Sequence, residues 1–98
     1  MSKIEVKITT SEYFIKKAKP ISSASQIYLN KKFVNETMNL IKLPYNESDY
    51  TIKEIDKGYE IKLNTDLIFK KKAKARGHGA YCYLPLELSG EYILVFKS

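Results

Sequence analysis

The sequence predicts a mostly β protein: a single compact domain in which two repeated units form a small barrel or sandwich. Three observations predict this fold class. Apolar and charged residues alternate in short segments, as they do in strands with one buried face. Residues 4–41 recur at 59–96 without a gap. A length of 98 residues suits one hydrophobic core and leaves little room for two.

The repeat is found by shifting the sequence 55 positions along itself. Eleven of the 38 aligned pairs are then identical, whereas chance gives roughly three in a chain so rich in lysine. The substitutions also keep apolar positions apolar, as in Val6/Ile61 and Leu40/Val95. We interpret the chain as a duplication, with repeat 1 at 4–41, a linker with a hairpin strand at 42–58, and repeat 2 at 59–96.

Each repeat is predicted to form strands in the same order. In the first strand Ile4, Val6 and Ile8 alternate with Glu5 and Lys7, which gives one buried and one solvated face. In repeat 1 the further elements are a short strand at 13–17, a strand through 27–29, a turn at 31–37 and a strand at 38–43. In repeat 2 the corresponding elements are a short strand at 68–72, a strand through 82–84, a turn at 86–91 and a strand at 92–97.

The linker is predicted to contain a turn and one more strand. Residues 44–48 are rich in turn-forming residues, and 51–55 should form a hairpin with 59–63 through Asp56, Lys57 and Gly58. A unit of about 40 residues can hardly bury a stable core alone. We therefore expect the two repeats to share one core, in the pseudo-twofold arrangement that shorter relatives reach by dimerising.

The loops and strands at 22–34 and 77–88 resemble the AbrB/SpoVT-type swapped-hairpin domain, and more closely its small archaeal transposon-associated relatives. The shared pattern is a loop of small residues, a strand ending in Leu-Pro, a short turn and a second apolar strand. Leu84-Pro85 with Glu87 and Leu88 is the most specific portion, and Gly90 also fits. Where that pattern has an arginine, the two copies have Gln26 and Tyr81.

This resemblance implies a fold of interleaved hairpins and a role in DNA binding, as a regulator or an antitoxin. A formal net charge of +6 independently favours an anionic partner. The leading hypothesis is a transcriptional regulator of an archaeal mobile element or virus that binds double-stranded DNA. The alternative is a protein-interaction module, antitoxin-like or a host-directed inhibitor, which docks its basic surface on an acidic protein. RNA is a third, weaker candidate.

Two basic clusters at equivalent repeat positions are the candidate nucleic-acid contacts. In a strand, Lys17 and Lys19 should share one face while Lys16 points to the other. The alternative interpretation is that these lysines protect edge strands from aggregation. Arg76 is the single arginine and is expected to make the directional contact. The complete set is Lys16, Lys17, Lys19, Lys70, Lys71, Lys72, Lys74, Arg76 and His78.

The remaining chemistry-bearing residues favour structural roles. Cys82 lies among apolar positions and is expected to be a buried thiol. Tyr28 and Tyr83 occupy the same repeat position and could stack on bases or cover the second side of a sheet. His78, between two glycines, could reach a phosphate or a base edge, although a plain loop residue is the more common case.

The sequence predicts neither an enzyme nor a cofactor or metal site. It lacks a glycine-rich phosphate loop, a zinc-binding cysteine pattern and a nucleophile with a partner histidine. It also lacks an apolar run of the roughly 20 residues that a membrane span needs. We therefore expect a cytoplasmic protein without a membrane partner, as a monomer or a homodimer.

Overall fold

The computed structural model describes residues 4–97, which form eleven strands in three antiparallel sheets. This described part of the chain contains no α-helix, and the mostly β fold class predicted from the sequence is confirmed. The strands are β1 (Ile4–Thr10), β2 (Phe14–Lys17), β3 (Lys19–Ile21), β4 (Ala24–Asn30), β5 (Thr37–Lys42), β6 (Tyr50–Ile55), β7 (Gly58–Thr65), β8 (Ile68–Lys72), β9 (Lys74–Arg76), β10 (Gly79–Pro85) and β11 (Tyr92–Lys97). Three 3₁₀ turns lie at Lys31–Phe33, Glu47–Asp49 and Leu86–Leu88.

The three sheets are open rather than closed. The three-stranded sheet has the order β1-β7-β6, the central sheet β2-β11-β5-β8, and the tyrosine sheet β3-β4-β10-β9. Every sheet has an edge strand at each end within residues 4–97, so the chain does not form the closed barrel that the sequence allowed as one outcome.

The central sheet packs one face on the tyrosine sheet to form the first core. Met38, Leu40 and Ile93 on β5 and β11 are buried together with Ile27 and Leu84 of the tyrosine sheet. Removing one such side chain from water contributes roughly 2 kcal/mol. Most of this core consists of pairs of residues at equivalent positions of the two repeats.

The other face of the central sheet packs on the three-stranded sheet to form the second core. Ile41, Leu94 and Phe96 point to this side and are buried against Ile61 and Leu63 of β7. Because successive strand residues face opposite ways, a strand in this layer needs apolar residues on both faces: β11 is apolar at five of six positions, and β5 places Met38 and Leu40 on one face and Ile41 on the other. The central sheet is therefore the middle layer of three.

The two repeats have matching backbone conformations. Each strand of repeat 1 has a counterpart 55 residues later, and β4 and β10, like β5 and β11, match end for end. Positive φ angles also recur in pairs: 51° at Ser22 and 55° at Gly77, then 70° at Asn35 and 87° at Gly90. The two repeats therefore turn at equivalent positions, although different residue types occupy those positions.

Strands of one repeat pair with strands of the other. β2 pairs with β11, and β8 pairs with β5. The amide of Ala18 donates to the carbonyl of Glu91 at 2.9 Å, and that of Ala73 donates to Glu36 at 2.9 Å. Each repeat thus supplies an edge strand to the other, and the two cannot separate without breaking the central sheet.

The prediction that Lys17 and Lys19 share one strand face is wrong. Buried Ala18 interrupts the strand, so Lys17 ends β2 in the central sheet while Lys19 begins β3 in the tyrosine sheet. The same break at Ala73 separates β8 from β9. Strands β3 and β9 were not predicted as separate elements, because an alanine between lysines has no local breaking signal.

Candidate nucleic-acid interface

The basic residues singled out by the sequence all lie on edge strands or in the β9–β10 turn. β2 and β8 are the two edges of the central sheet, and β3 and β9 are the two edges of the tyrosine sheet. All of these side chains are exposed except Arg76, which is half-buried. Such positions fit contact with nucleic acid, and they also fit protection against aggregation, because lysines on edge strands prevent edge-to-edge association.

Strand register decides which lysines share a surface. Lys16 pairs with Ile93 and Lys71 with Met38, so both point to the side of the central sheet that carries the tyrosine sheet. Lys17, Lys70 and Lys72 alternate with them and point to the opposite side. Only part of each cluster therefore belongs to the surface that contains β3 and β9.

The outer face of the tyrosine sheet is aromatic and basic. Tyr28 pairs with Tyr81 across β4 and β10, and Gln26 pairs with Tyr83. Tyr28 is 48% exposed and Tyr83 39% exposed. Lys19 on β3 pairs with Gln26, and Lys74 on β9 pairs with Tyr81. These two lysines therefore extend the same face to opposite edges of the sheet.

Arg76 lies across this face and links its two central strands. Its guanidinium donates to the Gln26 side-chain oxygen at 2.9 Å and to the Tyr83 hydroxyl at 2.9 Å. It also stacks over the ring of Tyr81, 4.1 Å from the ring centroid. A planar cation held in this way is oriented in advance of any ligand and retains donors that face solvent.

The electrostatics of the face follow from this arginine. The pKa of the Tyr28 phenol is lowered from its ordinary value, first by hydrogen bonding from Arg76, then by Gln26, with a further contribution from the charge of Lys19. The pKa of Arg76 is raised from its ordinary value by hydrogen bonding with Tyr28 and Tyr83. The face therefore carries positive charge with no carboxylate within it, which suits an anionic ligand.

Charge is divided between the two ends of the molecule. The segments 13–35 and 67–86 contain ten of the 17 basic residues and none of the 11 acidic residues. These segments form the whole tyrosine sheet and both edge strands of the central sheet. Segments 4–12 and 46–66, which include the three-stranded sheet, contain eight of the acidic residues. One of these, Glu12, lies beyond β1 and pairs with Lys32 at 3.3 Å. The other three are Glu36, Glu87 and Glu91. The resulting polarity favours one orientation toward an anionic partner.

His78 and Cys82 occupy very different environments. His78 is exposed in the turn between β9 and β10, next to the tyrosine face. Cys82 is 2% exposed in the first core, and burial raises the pKa of its thiol to about 11. The thiol is therefore protonated at neutral pH and is a poor nucleophile, as expected of a structural cysteine.

Gln26 and Tyr81 were not among the predicted site residues, although the structure places both against Arg76. The signal that could have identified them is alternation: Gln26 lies on the same side of β4 as Tyr28, and Tyr81 on the same side of β10 as Tyr83. Their contact with Arg76 joins residues up to 50 positions apart and has no local signature.

Other kinds of site were also sought. Within residues 4–97, no group of three or more histidine, cysteine, aspartate or glutamate side chains could hold a metal ion. No helix in this range is long and apolar enough to cross a bilayer. Comparison of the chain with protein-family models gives no match, and neither does comparison with curated proteins or with solved structures.

Proposed function

We propose that the protein is a non-enzymatic DNA-binding protein that contacts duplex DNA through the outer face of the tyrosine sheet and its flanking lysines. The observation that carries this proposal is the charge division described above. The acid-free segments form one end of the molecule, and Arg76 with the exposed tyrosines lies at the centre of that end. In this role it would regulate transcription in a mobile element or virus.

The dimensions of the face support a duplex as ligand. Lys19 and Lys74 lie on the outer strands of a four-stranded sheet, and three strand spacings amount to roughly 14 Å. The major groove of B-DNA is about 12 Å wide. Lysines at both edges could thus contact phosphates on the two sides of one groove, while Arg76, oriented by the buried Gln26, faces the base edges between them.

We further propose that the scaffold is a duplicated swapped-hairpin domain with pseudo-twofold symmetry. Register supports this. In the tyrosine sheet Ile27 pairs with its equivalent Cys82, and in the central sheet Leu40 pairs with its equivalent Val95. A twofold axis between two equivalent antiparallel strands produces one such self-paired position in each sheet. Duplex DNA has such axes too, so symmetric lysine clusters would meet equivalent phosphates on both strands.

Arg76 is a site residue that only one of the two repeats contains. Its repeat equivalent is Ile21, so only one guanidinium serves the face. That guanidinium contacts Gln26 and Tyr81, the two positions at which the swapped-hairpin pattern has arginines. We infer that Arg76 replaces both, and that it favours guanine at one point near the centre of the site.

A salt titration of binding tests the proposal directly. Affinity for a short labelled duplex should fall steeply as salt rises, because lysine–phosphate contacts release counterions. Replacing Lys16, Lys17 and Lys19 by glutamine should weaken binding about ten- to a hundredfold at moderate salt, and should reduce the salt slope by up to about two, because Lys17 points away from this surface. The equivalent replacement of Lys71, Lys72 and Lys74 should do the same.

A matched control separates a specific surface from net charge alone. Lys53, Lys57 and Lys62 lie in the three-stranded sheet or its hairpin, at the other end of the molecule. Their replacement by glutamine removes the same charge and should leave duplex affinity within about threefold. The proposal fails if this control weakens binding as much as either cluster variant, or if the wild type does not bind duplex at low salt.

Arg76→Lys tests the directional contact, because it keeps the charge and removes the planar fork. We expect loss of preference between duplex sequences with a smaller change in average affinity. Measuring single-stranded DNA, RNA and an acidic polypeptide in parallel identifies the ligand class. Tighter binding to the polypeptide than to the duplex would favour the alternative function, docking on an acidic protein, over DNA binding.

A further inference from the structure

The first strand has an open edge that its counterpart lacks. β7 is the middle strand of the three-stranded sheet, with β1 on one side and β6 on the other. β1 is the repeat equivalent of β7 and pairs only with β7 among residues 4–97. The position beside β1 that corresponds to β6 therefore offers unpaired backbone donors and acceptors along seven residues.

Core packing beside this edge is incomplete. Ile61 and Leu63 of β7 are fully buried, whereas their equivalents Val6 and Ile8 are only partly buried against the second core. Ile4 is 54% exposed. On β7 the neighbouring strand β6 supplies the cover, since Ile52 pairs with Ile61. A strand added beside β1 would cover Val6 and Ile8 in the same way.

This edge also differs from four of the five other edges within residues 4–97, the fifth being β6 on the far side of the same sheet. β2, β3, β8 and β9 are only three to five residues long and are dense in lysine, and β3 contains Pro20. Short, cationic or proline-bearing edges resist pairing with another chain. β1 is seven residues long, has no proline and alternates Glu5 with Lys7 on its outer face. It lacks the features that protect the other four.

We propose that β1 pairs antiparallel with β1 of a second copy, around Val6, to give one continuous six-stranded sheet. Charge complementarity selects this partner and register. Pairing around Val6 sets Glu5 opposite Lys7 twice, and Ile4 opposite Ile8 twice. A shift of two residues either way sets Lys7 against Lys7 or Glu5 against Glu5, which is unfavourable. The contact is isologous and closes as a dimer.

Such a dimer leaves the proposed DNA-binding surface free. The three-stranded sheet and the tyrosine sheet lie on opposite sides of the central sheet. Two copies joined through β1 would each present a tyrosine face, and binding of both to one duplex would raise the effective affinity. The dimer itself is independent of the proposed function and is tested without nucleic acid.

Charge-reversal variants test the dimer by sedimentation velocity over a range of concentrations. The wild type should dimerise, and Glu5→Lys or Lys7→Glu alone should weaken the dimer by about tenfold or more, because each creates two repulsive pairs. An equimolar mixture of the two variants should form a heterodimer, since every lysine then faces a glutamate. The double variant Glu5→Lys/Lys7→Glu should dimerise like the wild type.

Lys57→Glu is the matched control. Lys57 lies in the turn between β6 and β7 and pairs with no residue of β1. This variant should dimerise normally. The proposal is overturned if the wild type remains monomeric at the highest concentration, which would leave the edge to a strand of a different protein. It is equally overturned if both single variants dimerise as well as the wild type.

Discussion

Repeat 1 and repeat 2 reach the same backbone conformations with different residues. Repeat 2 places Gly77 and Gly90 at its two positive-φ positions, whereas repeat 1 places Ser22 and Asn35 there. Glycine adopts this region without steric cost, and other residues do so at a penalty. Asn35 belongs to a residue type that tolerates this region, whereas Ser22 does not, so we infer that contacts elsewhere in the fold hold the turn at Ser22.

The repeats also differ in how they serve the proposed surface. Repeat 2 contributes Arg76, Tyr81 and Tyr83, while repeat 1 contributes Tyr28 and Gln26. In the first core, by contrast, equivalent positions are equally buried, as at Leu40 and Val95. A shared interior constrains both copies alike, whereas the surface leaves each copy free to diverge.

Truncation at the centre of the first core should have the largest effect on stability. Leu40 is fully buried and faces its equivalent Val95. Leu40→Ala should lower the free energy of unfolding by about 3 kcal/mol, through lost burial and a residual cavity. Val95→Ala should cost less, and the two losses should not add, because the side chains are in contact. Denaturant titration measures all three.

Ile68→Ala is the control for this comparison, since Ile68 is 44% exposed on the edge strand β8. Its cost should stay below about 1 kcal/mol. A loss at Leu40 no larger than the loss at Ile68 would mean that the first core does not carry the stability of the molecule.

A buried hydroxyl present in one repeat only should have the next largest effect. Ser25 is fully buried and donates to the carbonyl of Pro85 at 2.8 Å, whereas its equivalent is Ala80. Ser25→Ala should lower the free energy of unfolding by about 1 kcal/mol, because the bond is lost inside the protein. Ser23→Ala, in the exposed turn, should have no measurable effect. Equal thermal shifts for both variants would contradict this assignment.

Substitutions at the equivalent turn positions 22 and 77 should give smaller effects of opposite sign. Gly77→Ala should destabilise by about 1 kcal/mol through backbone strain alone, since nothing lies within 4 Å of the added methyl group. Ser22→Gly should stabilise by about 0.5 kcal/mol, because it relieves the same strain in repeat 1 at some cost in chain entropy. Thermal denaturation of both variants measures the pair. Shifts of the same sign would show that the turns are not equivalent.

The last effect concerns the thiol of Cys82 and is absent at neutral pH, because it appears only at high pH. Burial raises its pKa to about 11 from an ordinary value of 9.0. The folded state thus binds the proton more tightly than the unfolded state, so the thiol's contribution to stability is complete below pH 9 and is lost between pH 9 and about 11. Over that range the wild type should lose more stability than Cys82→Ala.

Unfolding curves at several pH values measure this difference, and titrations of lysine and tyrosine cancel because both proteins share them. At neutral pH the thiol should also resist alkylation in the folded protein. Rapid modification there, or parallel pH profiles for the two proteins, would mean that Cys82 is accessible.

Local sequence determined much of the fold. Alternation in Ile4–Ile8 and again in Tyr59–Leu63 predicted β1 and β7, and the apolar runs predicted β5 and β11, because each side chain's face follows from strand geometry alone. Shifting the chain by 55 residues predicted which elements correspond. The basic clusters and Arg76 were likewise visible as composition.

Only the tertiary structure decided how these parts meet. It divided each lysine cluster between two sheets at Ala18 and Ala73, left β1 at an open edge, and brought Arg76 onto Gln26 and Tyr81. Local patterns set which face of a strand is buried. Which strand lies beside it depends on contacts between distant residues, which become favourable only when both repeats close around the shared core.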